Sequence, residues 1–355
     1  MNKKILMGLS CLCVTNIALA QSSVQLYGVI DAGIEVNRSG EPGAGTQTKM
    51  NTGNQSANRW GFRISEDLGG GLKAIANLEA GFNLDAGDTL TFGTPNTLFG
   101  RRAIIGLSGS WGELVLGRDY SPAYWTVLQG DRFKYGLPGT ISAATQLSNG
   151  RVSNGVFFTS ASYSGFYARL AASTGEERTE APRDAGRFWG GALEYKDDRL
   201  LATVSMNFRR DRQVASPVET GLFKEGGASL TYNFQPYSVN AGYFFTDPLS
   251  GPVGSVDRTR TFWLGGEVKF GASSVYTQIS NVRFKNTGGE DGDAFTYGIA
   301  YSYALSKRSN LYAAFGGVFN DGHSRLRLST GSQSVGGNVF GADPRALVVG
   351  MRHSF

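Results

Sequence analysis

YSPAYWTVLQGDRFKYGLPGTISAATQLSNGRVSN, residues 120–154, breaks the pattern of the chain around it. It carries no sustained period of 2 or 3.6, whereas the flanking sequence alternates apolar and polar residues, strand after strand. An irregular stretch longer than about 12–15 residues inside a compact domain is usually functional or disordered. Trp125, Phe133, Tyr135, Leu137 and Pro138 make this one too apolar for a solvated linker. It reads as a segment that folds inward, fills part of a large barrel and sets the width of a water-filled hole.

The flanking alternation is long. Val24, Leu26, Ile30, Ala32, Ile34 and Val36 share one face of a strand, and Gln25, Tyr27, Asp31 and Glu35 the other. Soluble strands typically run about 5–6 residues, and this one is expected over 24–36. Leu200, Ala202, Val204, Met206 and Phe208 alternate with Thr203, Ser205, Asn207 and Arg209 in the same way. So do Phe295 to Leu305, and Leu347 to Phe355, where aromatics crowd the ends of the apolar faces. Short turns such as Asp67-Leu68-Gly69-Gly70-Gly71 take turns with long polar loops. About sixteen strands follow, an even number suited to a transmembrane antiparallel barrel with short turns on one rim and long loops on the other. A soluble β-sandwich would also alternate, but with shorter strands and charged faces turned to solvent. The fold expectation is all-β, with residues 21–355 as the barrel and 120–154 folded into its interior.

Residues 1–20 stand apart. Lys3 and Lys4 precede an apolar run, and Ala18-Leu19-Ala20 fits cleavage before Gln21, the pattern of a secretory signal peptide. Both cysteines, Cys11 and Cys13, lie in it, so the mature chain is expected to hold no disulfide and no thiolate metal site. Loss of Lys3 and Lys4 lowers the net charge from +5 to +3, too mild to argue for nucleic acid. The 50 glycines against 10 prolines suit many strands and tight turns. Beyond residue 20 nothing approaches a membrane-spanning helix, but barrel strands need only about 9–11 alternating residues. No Walker, Rossmann or zinc spacing is present, so neither metal nor cofactor is expected.

Five stretches in order resemble the general, trimeric porins of Gram-negative bacteria: SVQLYGVIDAGI at 23–34, NRWGFRISEDLGGGLKA at 58–74, LFGRRAIIGLSGSWGELVLGRDY at 98–120, LSKRSNLYAA at 305–314 and VVGMRHSF at 348–355. The resemblance implies an outer-membrane homotrimer of sixteen-stranded barrels, in contact with lipid and lipopolysaccharide. It implies that Phe355 ends the signal read by the barrel-insertion machinery. It implies that 120–154 is the third extracellular loop, folded into the lumen as the constriction, and that a basic wall faces it, carried here by Arg59, Arg101 and Arg151, with Arg63 beside Arg59. Alternation places Arg59 opposite in phase to Trp60, Phe62 and Ile64, and Arg151 opposite to Val156 and Phe158. For Arg101 the phase is ambiguous, because pointing it inward also turns Ala103 and Ile105 inward; Arg102 is the second candidate. In the family an acidic residue often follows the loop proline, whereas Gly139 follows Pro138 here. Asp131 is then the one carboxylate between 120 and 154, with Arg132 and Lys134 beside it. The constriction is therefore expected to be net positive, and the function a diffusion pore for small hydrophilic solutes, preferring anions.

Two other functions compete. A barrel hydrolase needs a nucleophile, a base and an orienting group at one place, and His323 and His353 are the only histidines. A surface adhesin or receptor would use the polar loops near 175–186, 210–221 and 246–259, which any such barrel carries. Arg118 and Asp119 are expected at a subunit contact.

Overall fold

The computed structural model describes residues 22–90, 97–148, 150–175, 184–212, 220–248 and 255–355. The expected signal peptide, 1–20, and parts of the loops near 175–186, 210–221 and 246–259 lie outside them.

Sixteen antiparallel strands close into a barrel. They are β1 (Ser23–Arg38), β2 (Arg59–Gly69), β3 (Leu72–Phe82), β4 (Arg102–Gly109), β5 (Gly112–Tyr120), β6 (Arg151–Ser160), β7 (Phe166–Ser173) and β8 (Phe188–Lys196). The second half comprises β9 (Leu200–Arg212), β10 (Thr220–Phe234), β11 (Tyr237–Asp247), β12 (Val256–Phe270), β13 (Ser273–Asn286), β14 (Gly292–Ala304), β15 (Ser309–Asn320) and β16 (Arg345–Ser354). Each pairs with its neighbour in sequence, and β1 closes the ring. Its first half pairs with β2, Val24 opposite Ile64, and its second half with β16, Ile34 opposite Val349. A short strand, Gln47–Thr52, folds back on the upper half of β1 inside a stretch the sequence reads as loop. A hairpin of Leu328–Thr330 and Gln333–Val335 stands in the last long loop.

The alternation sorts the two faces as expected. Leu193, Val204, Leu264, Ile299 and Val349 are each more than half exposed on the isolated chain. On the other face Asp31, Glu35, Glu225, Gln278 and Thr261 are fully buried. Cross-strand polar pairs line that face, including Thr203 with Ser229 (2.8 Å), Thr246 with Thr259 (2.6 Å) and Ser280 with Thr296 (2.6 Å). A closed sheet with greasy residues outside and polar ones inside is the arrangement lipid demands. Aromatics gather at both ends of the apolar face. Trp111 stacks on Phe158 and Phe166 leans on Tyr195 near the short turns; Trp189 stacks on Phe208 and Tyr243 leans on Phe262 near the long loops. The turn from β2 to β3 runs through Gly69, Gly70 and Gly71 with φ of 85°, 60° and 79°, a left-handed path that residues with a Cβ resist.

Residues 121–148 pack against the polar face of β8 to β15. Where the sequence shows no periodicity, a nine-residue helix α1 forms over Pro122–Gly130. Its local signals are a cap and a proline: the Ser121 hydroxyl accepts from the Tyr124 N–H at 3.3 Å, and Pro122 sits in the first turn. Ala123 and Val127 are buried with Ile141, Phe244 and Trp263. Further along, Phe133 and Leu137 pack with Tyr276, Ala300, Tyr312, Ala314 and Val348. Pro138 and Gly139 lie directly on two wall glycines. A Cβ on Gly298 would stand 2.7 Å from the Pro138 oxygen, and one on Gly316 would stand 2.6 Å from the Pro138 carbonyl carbon. Such contacts cannot be kept without moving backbone.

Gly298→Val is therefore expected to push residues 137–140 off the wall. Overpacking of this kind costs about 1–3 kcal/mol, to be read as a lower unfolding temperature in detergent, together with altered single-channel conductance.

Candidate functional site

The segment's anchor is Asp131. Its carboxylate accepts from the backbone N–H groups of Phe133 and Tyr135 (both 2.9 Å), the Thr140 hydroxyl (2.5 Å) and the Gln278 amide (2.8 Å). The side chain is buried, which pushes its carboxyl above the usual range; Thr140, Gln278 and the two backbone donors pull it back. These bonds also hold Lys134 and Tyr135 in the left-handed region, with φ of 57° and 72°. The helix end is tied by Asn240 and Trp263, which donate to the Gly130 carbonyl at 2.6 and 2.9 Å. Arg132 donates to Asn240 and, at 3.4 Å, to Glu267. Arg132, next to Asp131, thus has local structural work, while Lys134 is exposed. Pro138 is buried.

The arginines gather on β2, on β4 and the residue before it, and on β6, in the half of the wall that does not carry the segment. Arg59 and Arg101 share one carboxylate. Nε of Arg101 donates to Glu79 at 2.7 Å, and Nε of Arg59 lies 3.7 Å from the same group. Tyr27 also donates to Glu79. The Tyr120 hydroxyl accepts from Arg101 at 2.9 Å and from Arg151 at 3.2 Å, holding two guanidiniums side by side. Arg151 lies 4.6 Å over the Tyr120 ring, which stacks on Tyr124. Arg63 sits 4.1 Å over the Tyr27 ring. Five sequence candidates therefore fall on one side of the barrel, and Asp131, Arg132, Lys134 and Pro138 on the segment against the other.

The ambiguity at Arg101 and Arg102 resolves through where the strand begins. β4 starts at Arg102, so Arg101 precedes the pleat and is not bound by its alternation. Arg102 obeys it, in phase with buried Ile104 and opposed to exposed Ile105. Both reach the polar side, Arg101 to Glu79 and Arg102 to Asp119 at 2.8 Å. Asp119, expected at a subunit contact, is taken up there; Arg118 donates to the Gly100 carbonyl and to Ser153.

Sequence reasoning missed Tyr120 and Tyr27 as partners of this wall, and Arg352, which donates to Ser56 at 2.9 Å. Arg352 had a signal, its phase opposite to Met351 and His353. Tyr120 had none, because it ends a strand where phase is lost. Phe355 pairs its backbone with Gly28 in both directions at 3.1 Å, so the terminal residue completes the ring. The two histidines lie at opposite rims. His323 faces Glu290 at 2.9 Å among the long loops, and His353 meets the Ser309 hydroxyl at 2.8 Å near a short turn.

The model of the Gram-negative porin family matches residues 8–323. The chain belongs to that family. Outer membrane porin protein 32 of Delftia acidovorans is 29% identical over 364 residues, covering 99% of this chain and all of the relative. An outer membrane porin protein of Bordetella pertussis is 30% identical over 351 residues, 83% of this chain and 89% of the relative. Among solved structures, the anion-selective porin from Comamonas acidovorans superposes with a TM-score of 0.80 at 27% identity, over 94% of this chain and all of that one. OmpT of Vibrio cholerae shares the fold with a TM-score of 0.71 at 12% identity, over 94% of this chain and 98% of that one. Family and fold make this an outer-membrane porin and point to a channel rather than an enzyme.

Asp131→Ala would leave several buried donors without an acceptor, at about 1–3 kcal/mol for each one left unsatisfied. The expected outcome is a clear fall in thermal stability with little change in ion selectivity, since this carboxylate is already spent inside the segment.

Proposed function

We propose that this porin is a passive diffusion pore for small hydrophilic solutes and ions that prefers anions. In this reading residues 120–154 narrow the lumen, and Arg59, Arg101 and Arg151 set the sign of the selectivity, with Arg63 and Arg102 adding to the field. The carrying observation is the sharing of Glu79 by Arg59 and Arg101 while Tyr120, a neutral acceptor, holds Arg101 beside Arg151. Guanidinium outnumbers carboxylate in that cluster. In a narrow channel with low-dielectric walls such an excess raises the local concentration of anions. Arginine keeps its charge at every working pH. Across the lumen, burial of Asp131 withholds the counter-charge that would build a transverse field. The likeness to an anion-selective porin at 27% identity supports the same reading.

The assembly proposed is a homotrimer in contact with lipid and lipopolysaccharide, delivered through a removed signal at 1–20 and recognised at Phe355 by the insertion machinery. Family resemblance supports this part.

In planar bilayers under a potassium chloride gradient, the reversal potential is expected to favour chloride; a potassium preference would defeat the arginine argument. Arg59→Glu with Arg151→Glu is expected to move that potential toward cations, and an unchanged value would remove both residues from the selective region.

A further inference from the structure

Asp31 is a carboxylate on the polar face of β1 that is hidden from solvent. Its acid group accepts from groups of the protein itself. The Tyr312 hydroxyl donates to Oδ1 at 2.5 Å, and the backbone N–H groups of Gln55 and Ser56 donate to Oδ2 at 2.8 and 2.7 Å. The Asp31 backbone takes part as well. Its N–H donates to Asn58 Oδ1 at 2.6 Å, and its carbonyl accepts from the Gly53 N–H at 2.8 Å. One residue therefore holds both ends and the middle of the bend 53–58. A buried carboxylate is costly unless hydrogen bonds satisfy it, and two of the donors spent on this one are backbone groups outside the sixteen strands.

That bend touches both halves of the interior. Toward the arginines, the Ala57 carbonyl accepts from Arg59 Nη1 at 3.1 Å, whereas Glu79 stands farther off, 3.7 Å from Arg59 Nε. Toward the inserted segment, Gly136 lies so close on the Asn54 carbonyl that a Cβ there would collide with it. Tyr312 joins the two contacts. Its hydroxyl donates to Asp31 and accepts from the Asn54 amide at 3.1 Å, and its ring packs with Phe133 and Leu137 of the segment. The side chains of Gln55 and Ser56 also meet the wall, at Tyr276 and Arg352. Among the described residues, however, it is Asp31 that supplies the acceptors for the backbone N–H groups of Gly53, Gln55 and Ser56.

We infer that Asp31 is a positioning residue for permeation: it fixes the bend 53–58, and through the Ala57 carbonyl it sets where the Arg59 guanidinium stands. A functional side chain is only as well placed as the shell of hydrogen bonds behind it. Asp31 acts on ions through that placement and not through its own charge. The two modes differ in sign. Were the carboxylate sensed as a charge, its removal would make the lumen more positive and raise the anion preference. Loss of placement frees Arg59 and lowers it. The effect on current rests on the proposed role of Arg59 in selectivity; the effect on the bend does not.

Two variants that change no charge test this, Tyr312→Phe and Asp31→Glu. Tyr312→Phe keeps the ring and its packing, so it is the variant that tests the inference if Asp31→Glu fails to fold. A spin label at Ala57→Cys, in a chain carrying Cys11→Ser and Cys13→Ser, reads the mobility of the bend. The reversal potential in a potassium chloride gradient reads selectivity. Each variant is expected to sharpen the label's spectrum and to lower the chloride-to-potassium permeability ratio at least about twofold. In an Arg59→Gln background neither variant is expected to move the ratio further, because changes that act through one group do not add. Either readout left unchanged by Tyr312→Phe in a chloride-preferring channel would overturn the inference, as would an equal drop with Arg59 replaced. A wild-type channel without anion preference would sink the constriction reading, while a bend freed by Tyr312→Phe would leave the positioning of residues 53–58 standing.

Discussion

Backbone hydrogen bonding in lipid is the constraint on which the rest depends. No water is available in a bilayer core to satisfy an unpaired N–H or C=O, so a sheet placed there must have no edge. This chain meets the demand by dividing β1 between β2 and β16, and by pairing Phe355 with Gly28 where the first and last strands meet. Once the ring is closed, period-2 alternation leaves one face for lipid and one for the interior. The interior becomes a place where Asp31, Glu35, Glu79 and several arginines can sit close together among polar partners.

That interior is divided. The half formed by β8 to β15 is covered by residues 121–148, held down by polar groups that reach from the wall to the segment's backbone: Asn207 to the helix start, Asn240 and Trp263 to its end, Gln278 to the Arg132 N–H. Hydrogen bonds made to backbone fix position whatever the side chain, and this half is accordingly rich in small residues such as Gly298 and Gly316. The half formed by β2 to β6 keeps long basic side chains. They are oriented by tyrosines as much as by carboxylates, and a tyrosine holds an arginine without neutralising it. The charge balance of the site follows from that choice of partner.

Much of this was legible in the chain. Alternation gave the two faces, the phase of Arg59 and the position of the segment, because a barrel writes its inside and outside into every second residue. Strand ends were less legible: β12 begins at Val256 where the pattern suggests 260, since above the membrane both faces turn polar and the alternation fades. The helix over Pro122–Gly130 was hidden for a different reason. At nine residues it spans too few turns to show a period, and it is buried on more than one side. Asp131 was visible as the segment's carboxylate, but not as a buried one. Its partner Gln278 lies 147 positions away, and no local pattern announces such a contact. Arg101 could not be assigned from phase because it stands one residue before its strand.

Both cysteines fall at Cys11 and Cys13, so in a chain carrying Cys11→Ser and Cys13→Ser single cysteines placed elsewhere can carry a spin label. Labels at Leu193→Cys, Leu264→Cys and Val349→Cys, compared with one at Ser302→Cys in liposomes, report which face meets lipid. The account predicts strong relaxation by oxygen at the first three and by a water-soluble nickel chelate at the fourth. The reverse order, or chelate access at all four positions, would contradict it.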